Sequence, residues 1–320
     1  MGRNKWVGIT GGAVLMAGAA MADHGPGTSG GGVGTPSGET MKPGKLSISL
    51  REDFTEFQSL SDATIADKAA RGGSIDLLDR SYLTSVAVSY GVVENFQVGA
   101  AIGYYDAINA SEAEFNPVTG ETEIVTFSPD GWTDLWLTGK YRFYHGPLGH
   151  MAVLAGIKFP TGRNVVHNSA GERVEPSATA GSGAFDGAIG LAYSRFLTKQ
   201  LTMDAGAQYT IRGEADDFRL GDRIDAGLAV AYRLVEDIEK PFQPSVFAEL
   251  NFWHLSKSED AGESDPNTGG SVLFATPGVR ARFGPNVGLT IAAPIPIYQD
   301  LNGEQLKTDF KVLAELSLEF

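Results

Sequence analysis

From Lys45 to the carboxy terminus, apolar residues recur at every second position in short segments. The final segment shows this most plainly. Phe310, Val312, Ala314, Leu316, Leu318 and Phe320 alternate with Lys311, Leu313, Glu315, Ser317 and Glu319. A period of two puts the two sets on opposite faces of a β-strand, whereas a helix would need a period near 3.6. Eleven earlier segments read the same way. They lie around 46–54, 82–90, 96–104, 135–143, 151–159, 185–193, 201–211, 224–232, 246–252, 273–283 and 287–295. Strands of roughly ten residues are long enough to cross a bilayer at a tilt. Beyond residue 22 the chain has no apolar run long enough for a membrane helix. The pattern predicts an all-β fold, a transmembrane antiparallel β-barrel of about twelve strands.

Soluble sandwiches alternate too, so the connections carry the distinction. Short ones, such as "GVVEN", "HGPLGH", "TKQ" and "GPN", alternate with long ones near 58–80, 106–130, 160–181, 213–221, 255–270 and 299–306. Short periplasmic turns and long extracellular loops are the layout of an outer-membrane barrel. Aromatic residues gather near strand ends, among them Tyr82, Tyr104, Tyr141, Phe159 and Tyr193. Those are girdle positions, where an amphipathic ring sits at headgroup level. An even strand number puts both ends of the barrel chain on the periplasmic side, and closure pairs the first strand with the last. Phe320 then ends the closing strand at the periplasmic rim and is expected to act as the assembly signal read by the barrel assembly machinery.

The amino terminus divides into two parts. Residues 1–22 have a basic start, an apolar run and the small-x-small site "AMA", the layout of a secretory signal peptide cleaved near Ala22. Residues 23–44 are rich in Gly, Ser, Thr and Pro and read as a flexible leader. This composition favours disorder in the periplasm over the alternative, a plug or gate entering the lumen. The match "GPGTSG" to a dinucleotide fingerprint has neither strand before it nor helix after it and is compositional. Residues 45–320 form the barrel.

Composition narrows the chemistry. The 320 residues include no cysteine, which excludes disulfides, thiolate metal sites and a cysteine nucleophile. The net charge of −14 argues against a nucleic-acid partner. The excess acid falls in the long loops, where it gives a solvated outer surface; no loop has a calcium-binding spacing. Of the five histidines, only His254, with Ser256 two residues on, resembles part of a hydrolase site, and no acid or amide is placed to orient it. His145 and His150 share a turn without a third ligand. Neither an enzyme nor a cofactor is expected.

The face opposite the lipid set carries Asp134, Trp136, Lys140, Arg142, Lys158, Asp186, Asp204, Arg212, Arg223, Asp225, Glu249, Trp253, Arg280 and Arg282. Charges there require a wet lumen or mutual pairing. Pairs such as Asp204 with Arg223 and Asp225 with Arg212 are expected, and the mixed signs argue against a purely anion-selective pore. Trp136 and Trp253 offer either stacking surfaces for an aromatic solute or interior packing.

"GKYRFY" (139–144), "AGIKFPTG" (155–162), "GSGAFDGAIGLAYSRF" (181–196), "GDRIDAGLAVAYR" (221–233) and "TPGVRARF" (276–283) together resemble the outer-membrane family labelled the MetA pathway of phenol degradation. The resemblance implies an outer-membrane barrel that passes aromatic or other hydrophobic small molecules. The expected function is passive diffusion of small solutes across the outer membrane of a Gram-negative-type cell, with outer-membrane lipid and the solute as partners. A structural or adhesion barrel with a blocked lumen is the first alternative. A lipid hydrolase using His254 is the second.

Overall fold

The computed structural model describes residues 32–237 and 239–320. The expected signal peptide and the first part of the leader lie outside the described residues.

Twelve antiparallel strands close into one barrel. They are β1 (Leu46–Phe57), β2 (Arg80–Val93), β3 (Phe96–Ile108), β4 (Leu135–Gly146), β5 (Gly149–Phe159), β6 (Asp186–Phe196), β7 (Leu201–Ile211), β8 (Arg223–Arg233), β9 (Phe242–Leu255), β10 (Gly270–Phe283), β11 in two pieces (Val287–Ala292 and Ile295–Leu301) and β12 (Thr308–Glu319). Each strand pairs with its sequence neighbour. Closure runs from Ser47 opposite Glu319 to Phe57 opposite Thr308. Beyond that ladder, Phe320 donates its N–H to Leu46 O at 2.8 Å.

The wall alternates as the sequence predicts. Ile157, Ile189, Leu191, Leu228, Val279 and Leu316 are exposed on its outer face, while their strand neighbours Lys158, Ala188, Ala192, Ala229 and Ser317 are buried inside. Apolar side chains facing outward in this number need lipid around them, because water would leave their surface unburied. Rings pair near both rims. Phe54 lies 5.2 Å from Tyr82 and 5.8 Å from Phe310, and Phe159 lies 5.6 Å from Phe185, all by ring centroids. At the other rim Phe242 lies 5.2 Å from Phe283.

One expected strand is interrupted. The alternation predicts a single eleventh strand running through Pro294, but the ladder breaks there. Proline has no N–H to donate, so the ladder loses a bond at Pro294, although its carbonyl accepts the Lys311 N–H at 3.0 Å. The first piece of β11 pairs with both β10 and β12. The second piece is laddered to β10; the ladder of β11 with β12 ends at Ala292 opposite Leu313, beyond which the Gln299 side chain bonds the Thr308 backbone.

The long loops hold more structure than their alternation predicts. Residues Asp62–Gly72 form helix α1, whose amino end is capped by the Ser61 hydroxyl accepting the Thr64 N–H at 3.3 Å. The segments 74–77, 111–115 and 122–126 form a small antiparallel sheet. Ala69 of α1 packs there with Ile75 and Ala113. A second core joins Phe57, Leu78, Phe127, Val166 and Val174 from three different connections. Loop 160–185 also dips into the barrel mouth, where Ala180 packs on the inward-facing Leu83 and Tyr105. The long-loop end therefore carries a folded cap with its own apolar core.

Candidate functional site

Residues 32–44 enter the barrel at the short-turn end and cross its interior. Gly44 donates its N–H to Gly91 O at 2.8 Å beside the β2–β3 turn. Met41 donates its N–H to Gln97 Oε1 on β3 at 2.8 Å, and Gly38 donates to Ser194 Oγ on β6 at 2.7 Å. Glu39 Oε1 lies 3.5 Å from His150 Nε2 on β5. On β9, the Glu249 carboxylate accepts the N–H of Val33 at 2.8 Å and of Gly34 at 3.0 Å, and also bonds the Thr35 hydroxyl. Val33 in turn offers its carbonyl to Arg51 Nη1 on β1 at 2.9 Å.

The leader's small residues are what allow this path. Without bulky side chains, backbone donors come within reach of wall acceptors. The wall is recessed to match. A Cβ on Gly227 would collide with Thr35, and one on Gly206 would lie 2.7 Å from Pro36 Cγ. The expectation that this composition leaves the leader free in the periplasm does not hold for residues 32–44, because the wall supplies the hydrogen-bond partners.

Inside the wall, charges are held in a network. Asp186 accepts Lys158 Nζ at 2.6 Å and Arg212 Nη1 at 2.8 Å, and Lys158 also reaches Asp134 Oδ2 at 3.1 Å. Asp134 accepts the N–H groups of Gly162 and Ser182 at 2.9 Å each, fastening loop 160–185. The expected partners differ in detail. Asp204 bonds Ser194, Arg223 takes Asp225 and Arg212 takes Asp186. The register explains this: Asp204 stands opposite Ala229 and Asp225 opposite Gln208. The nearest same-face partner of Arg223 is therefore two residues along its own strand.

The other predicted interior residues fall into three settings. Trp136 is 1% exposed and packs on Leu154, Ala188 and Ala192, so it fills the wall and offers no stacking surface. Lys140 reaches the Ser37 carbonyl at 3.4 Å, on the leader. Arg142 is occupied at the short-turn end by Asn95 Oδ1, at 2.8 and 2.6 Å. Arg280 lies 5.4 Å from the Phe247 ring centroid and bonds Thr290.

Arg223, Asp225 and Trp253 instead line a chamber with a cavity volume of about 100 Å³, between the leader and the β7–β12–β1 side of the wall. Arg223 stands 5.5 Å from the Trp253 ring centroid. Arg51, Asp53, Phe274, Lys311 and Leu313 complete its sides. These five were not among the predicted site residues. Their signal was present, since Lys311 and Leu313 belong to the inward set of the closing strand. The same parity applied to β1 selects Arg51 and Asp53.

His254 Nδ1 lies 2.9 Å from Ser271 Oγ, its cross-strand neighbour, and not beside Ser256. Asp300 stands beyond Ser271 in register. The row therefore runs His–Ser–Asp, with the acid next to the hydroxyl and not behind the imidazole, where a nucleophile–base–orienter relay needs it.

A closed twelve-stranded wall, an apolar outer face and a polar occupied lumen define an outer-membrane β-barrel of porin-like form. The chain belongs to the family described as "Putative MetA-pathway of phenol degradation", whose sequence profile matches residues 112–296. That span contains all five motifs quoted above. Among solved structures, the fold is similar to the COG4313 outer membrane channel from Pseudomonas putida F1, with a TM-score of 0.62 and 11% identity over 88% of this chain and 97% of that one. The translocator domain of autotransporter NalP from Neisseria meningitidis follows at a TM-score of 0.48, 12% identity, and 88% and 89% coverage. The β domain of the Bordetella autotransporter BrkA gives 0.46, 13%, 88% and 100%. No curated protein matches the sequence.

Proposed function

We propose that the protein is a passive channel in the outer membrane for small, aromatic or otherwise hydrophobic solutes. The chamber carries this reading. With residues 32–44 in place its cavity volume is about 100 Å³, below the roughly 300–1,000 Å³ typical of small-molecule sites, so a solute gains room there only as that segment moves. Its lining mixes apolar surface from Trp253, Phe274 and Leu313 with a few charged groups. Membership of a family named for phenol degradation agrees with an aromatic solute. Residues 32–44 are the obstruction that must yield; they are held by hydrogen bonds to wall side chains and by the burial of Val33 and Met41.

The same segment favours one rival, a structural barrel whose lumen stays blocked. Swelling of proteoliposomes with phenol, benzoate and sugars separates the two. Flux of the aromatic probes that increases when residues 32–44 are deleted is the expected result. Absence of flux for every probe, with and without the segment, would overturn the channel.

A further inference from the structure

The charged residues that line the chamber, Arg51, Asp53, Arg223, Asp225 and Lys311, are three cations and two anions. Arg51 holds Asp53 through two bonds, Nε to Oδ2 at 2.7 Å and Nη2 to Oδ1 at 2.8 Å, so both carboxylate oxygens are engaged. Arg223 holds Asp225 in the same way, at 2.5 and 2.8 Å. The nearby Glu249 is engaged by the leader's N–H groups. Lys311 is left over. Its side chain lines the chamber and is only 5% exposed, yet among the described residues its ammonium has no ion pair and no side-chain hydrogen bond. An ammonium offers donors only, so what completes it must be an acceptor, and an anion completes it best. A buried charge without a partner is costly, and a ligand that supplies the partner recovers that cost on binding.

Around this ammonium the surface is apolar: Leu313 stands two residues away on β12, with Phe274 and the Trp253 ring across the chamber. We infer that the chamber is a binding site for small hydrophobic monocarboxylates, with the carboxylate on Lys311 and the ring or chain against Trp253, Phe274 and Leu313. This rests on the channel reading for its biological setting, but not for its test. It divides the aromatic solutes, because a neutral phenol or alcohol of the same size leaves Lys311 with no counter-charge but Asp53, whose two oxygens are already held by Arg51.

Calorimetric titration of the full-length, detergent-solubilised barrel with benzoate and with benzyl alcohol tests the site without requiring transport. Benzoate should bind at least tenfold more tightly than the alcohol. Lys311→Met should abolish that gap, and Lys311→Arg should retain it. Heat-modifiable electrophoretic mobility checks that each variant is a folded barrel. Equal affinity of the wild-type protein for the two probes would overturn the site, whatever the variants do. So would a gap that survives Lys311→Met. Binding that obeys these rules in detergent with no flux in liposomes would keep the site and remove the channel.

Discussion

The carboxylate of Glu249 accepts the backbone N–H of Val33 at 2.8 Å, joining positions 216 residues apart in the chain. It accepts Gly34 and bonds Thr35 as well, so one side chain holds three consecutive residues of the lumen segment. Bonds to a charged acceptor contribute about 1.5–3 kcal/mol each. Glu249→Ala should therefore loosen the segment and raise single-channel conductance in planar bilayers severalfold, towards the value reached by deleting residues 32–44. Conductance unchanged by either alteration would place the constriction elsewhere.

Gly227 gives an independent route to the same state. A side chain there meets Thr35 without altering any charge. Gly227→Val should displace the segment and raise conductance while leaving the Arg223–Asp225 pair in place. A variant with wild-type conductance and a folded barrel would contradict the close fit.

Asp186 lies between two buried cations, Lys158 and Arg212. Removing one partner from a buried ionic cluster costs about 3–5 kcal/mol, because the remaining charges keep their desolvation penalty. Asp186→Asn should lower the urea midpoint of the barrel accordingly. Combining it with Lys158→Met should recover part of the loss, since the two residues share one interaction. Additive losses would show that the network is not coupled.

The cap has a pH dependence of definite sign. Burial pushes the carboxyl of Glu112 up to about 8, although Ser74 bonds it; neighbouring Glu114 and Glu175 add to the rise. Burial also pushes Glu175 up to about 8, against the opposing bond from Ser177 and with help from Asp265 and Asp260. Asp76 is raised well above its ordinary value, by burial and then by Glu175 and Glu112. The folded cap thus holds protons that an opened cap releases near 4.5. Its stability is full below that value and falls as pH rises towards 8, by up to about 1.4 kcal/mol per pH unit for each group. Amide protection factors, corrected for the pH dependence of intrinsic exchange, should be lower in segments 74–77 and 111–115 at pH 8 than at pH 5, and Glu112→Gln with Glu175→Gln should flatten the difference. Equal protection factors at both pH values in the parent protein would refute it.

Phe320 makes the last backbone contact of the closing seam, with Leu46. Deleting it should lower the amount of protein assembled in the outer membrane while leaving the conductance of each assembled barrel unchanged. Normal membrane levels of the truncated chain would remove the assembly role assigned to it.

The wall was largely legible in the sequence because a closed sheet between lipid and a polar lumen imposes a strict period of two. The alternation around Leu316 and Ile189 is that constraint written out. What escaped was set by register and by distant partners. The pairing of Arg223 with Asp225 depends on which residues β7 places opposite them, and alternation alone does not specify that. The leader's path depends on distant acceptors such as Ser194 and Glu249, more than a hundred residues away, so its composition taken alone suggests only freedom. The cap was hidden for a related reason: its core draws Leu78, Phe127 and Val174 from separate connections, none of which is strongly periodic. Lys311 was legible in principle, being an inward residue on the best-patterned strand. Only the engagement of Asp53 by Arg51 shows that it lacks a partner.

The break at Pro294 decides where this cylinder is weakest. A closed sheet would be expected to give way where its two ends were joined last. Here that joint runs from the rim at Ser47 to Phe57 with a single register shift at Glu56–Phe57, while the ladder of β11 with β12 ends at Ala292, leaving one backbone bond beyond it, from Lys311 N–H to Pro294 O. Under thermal or mechanical load the wall should split one strand away from the suture, along the flank of β12 that carries Lys311. The tear line and the floor of the chamber are then the same stretch of backbone.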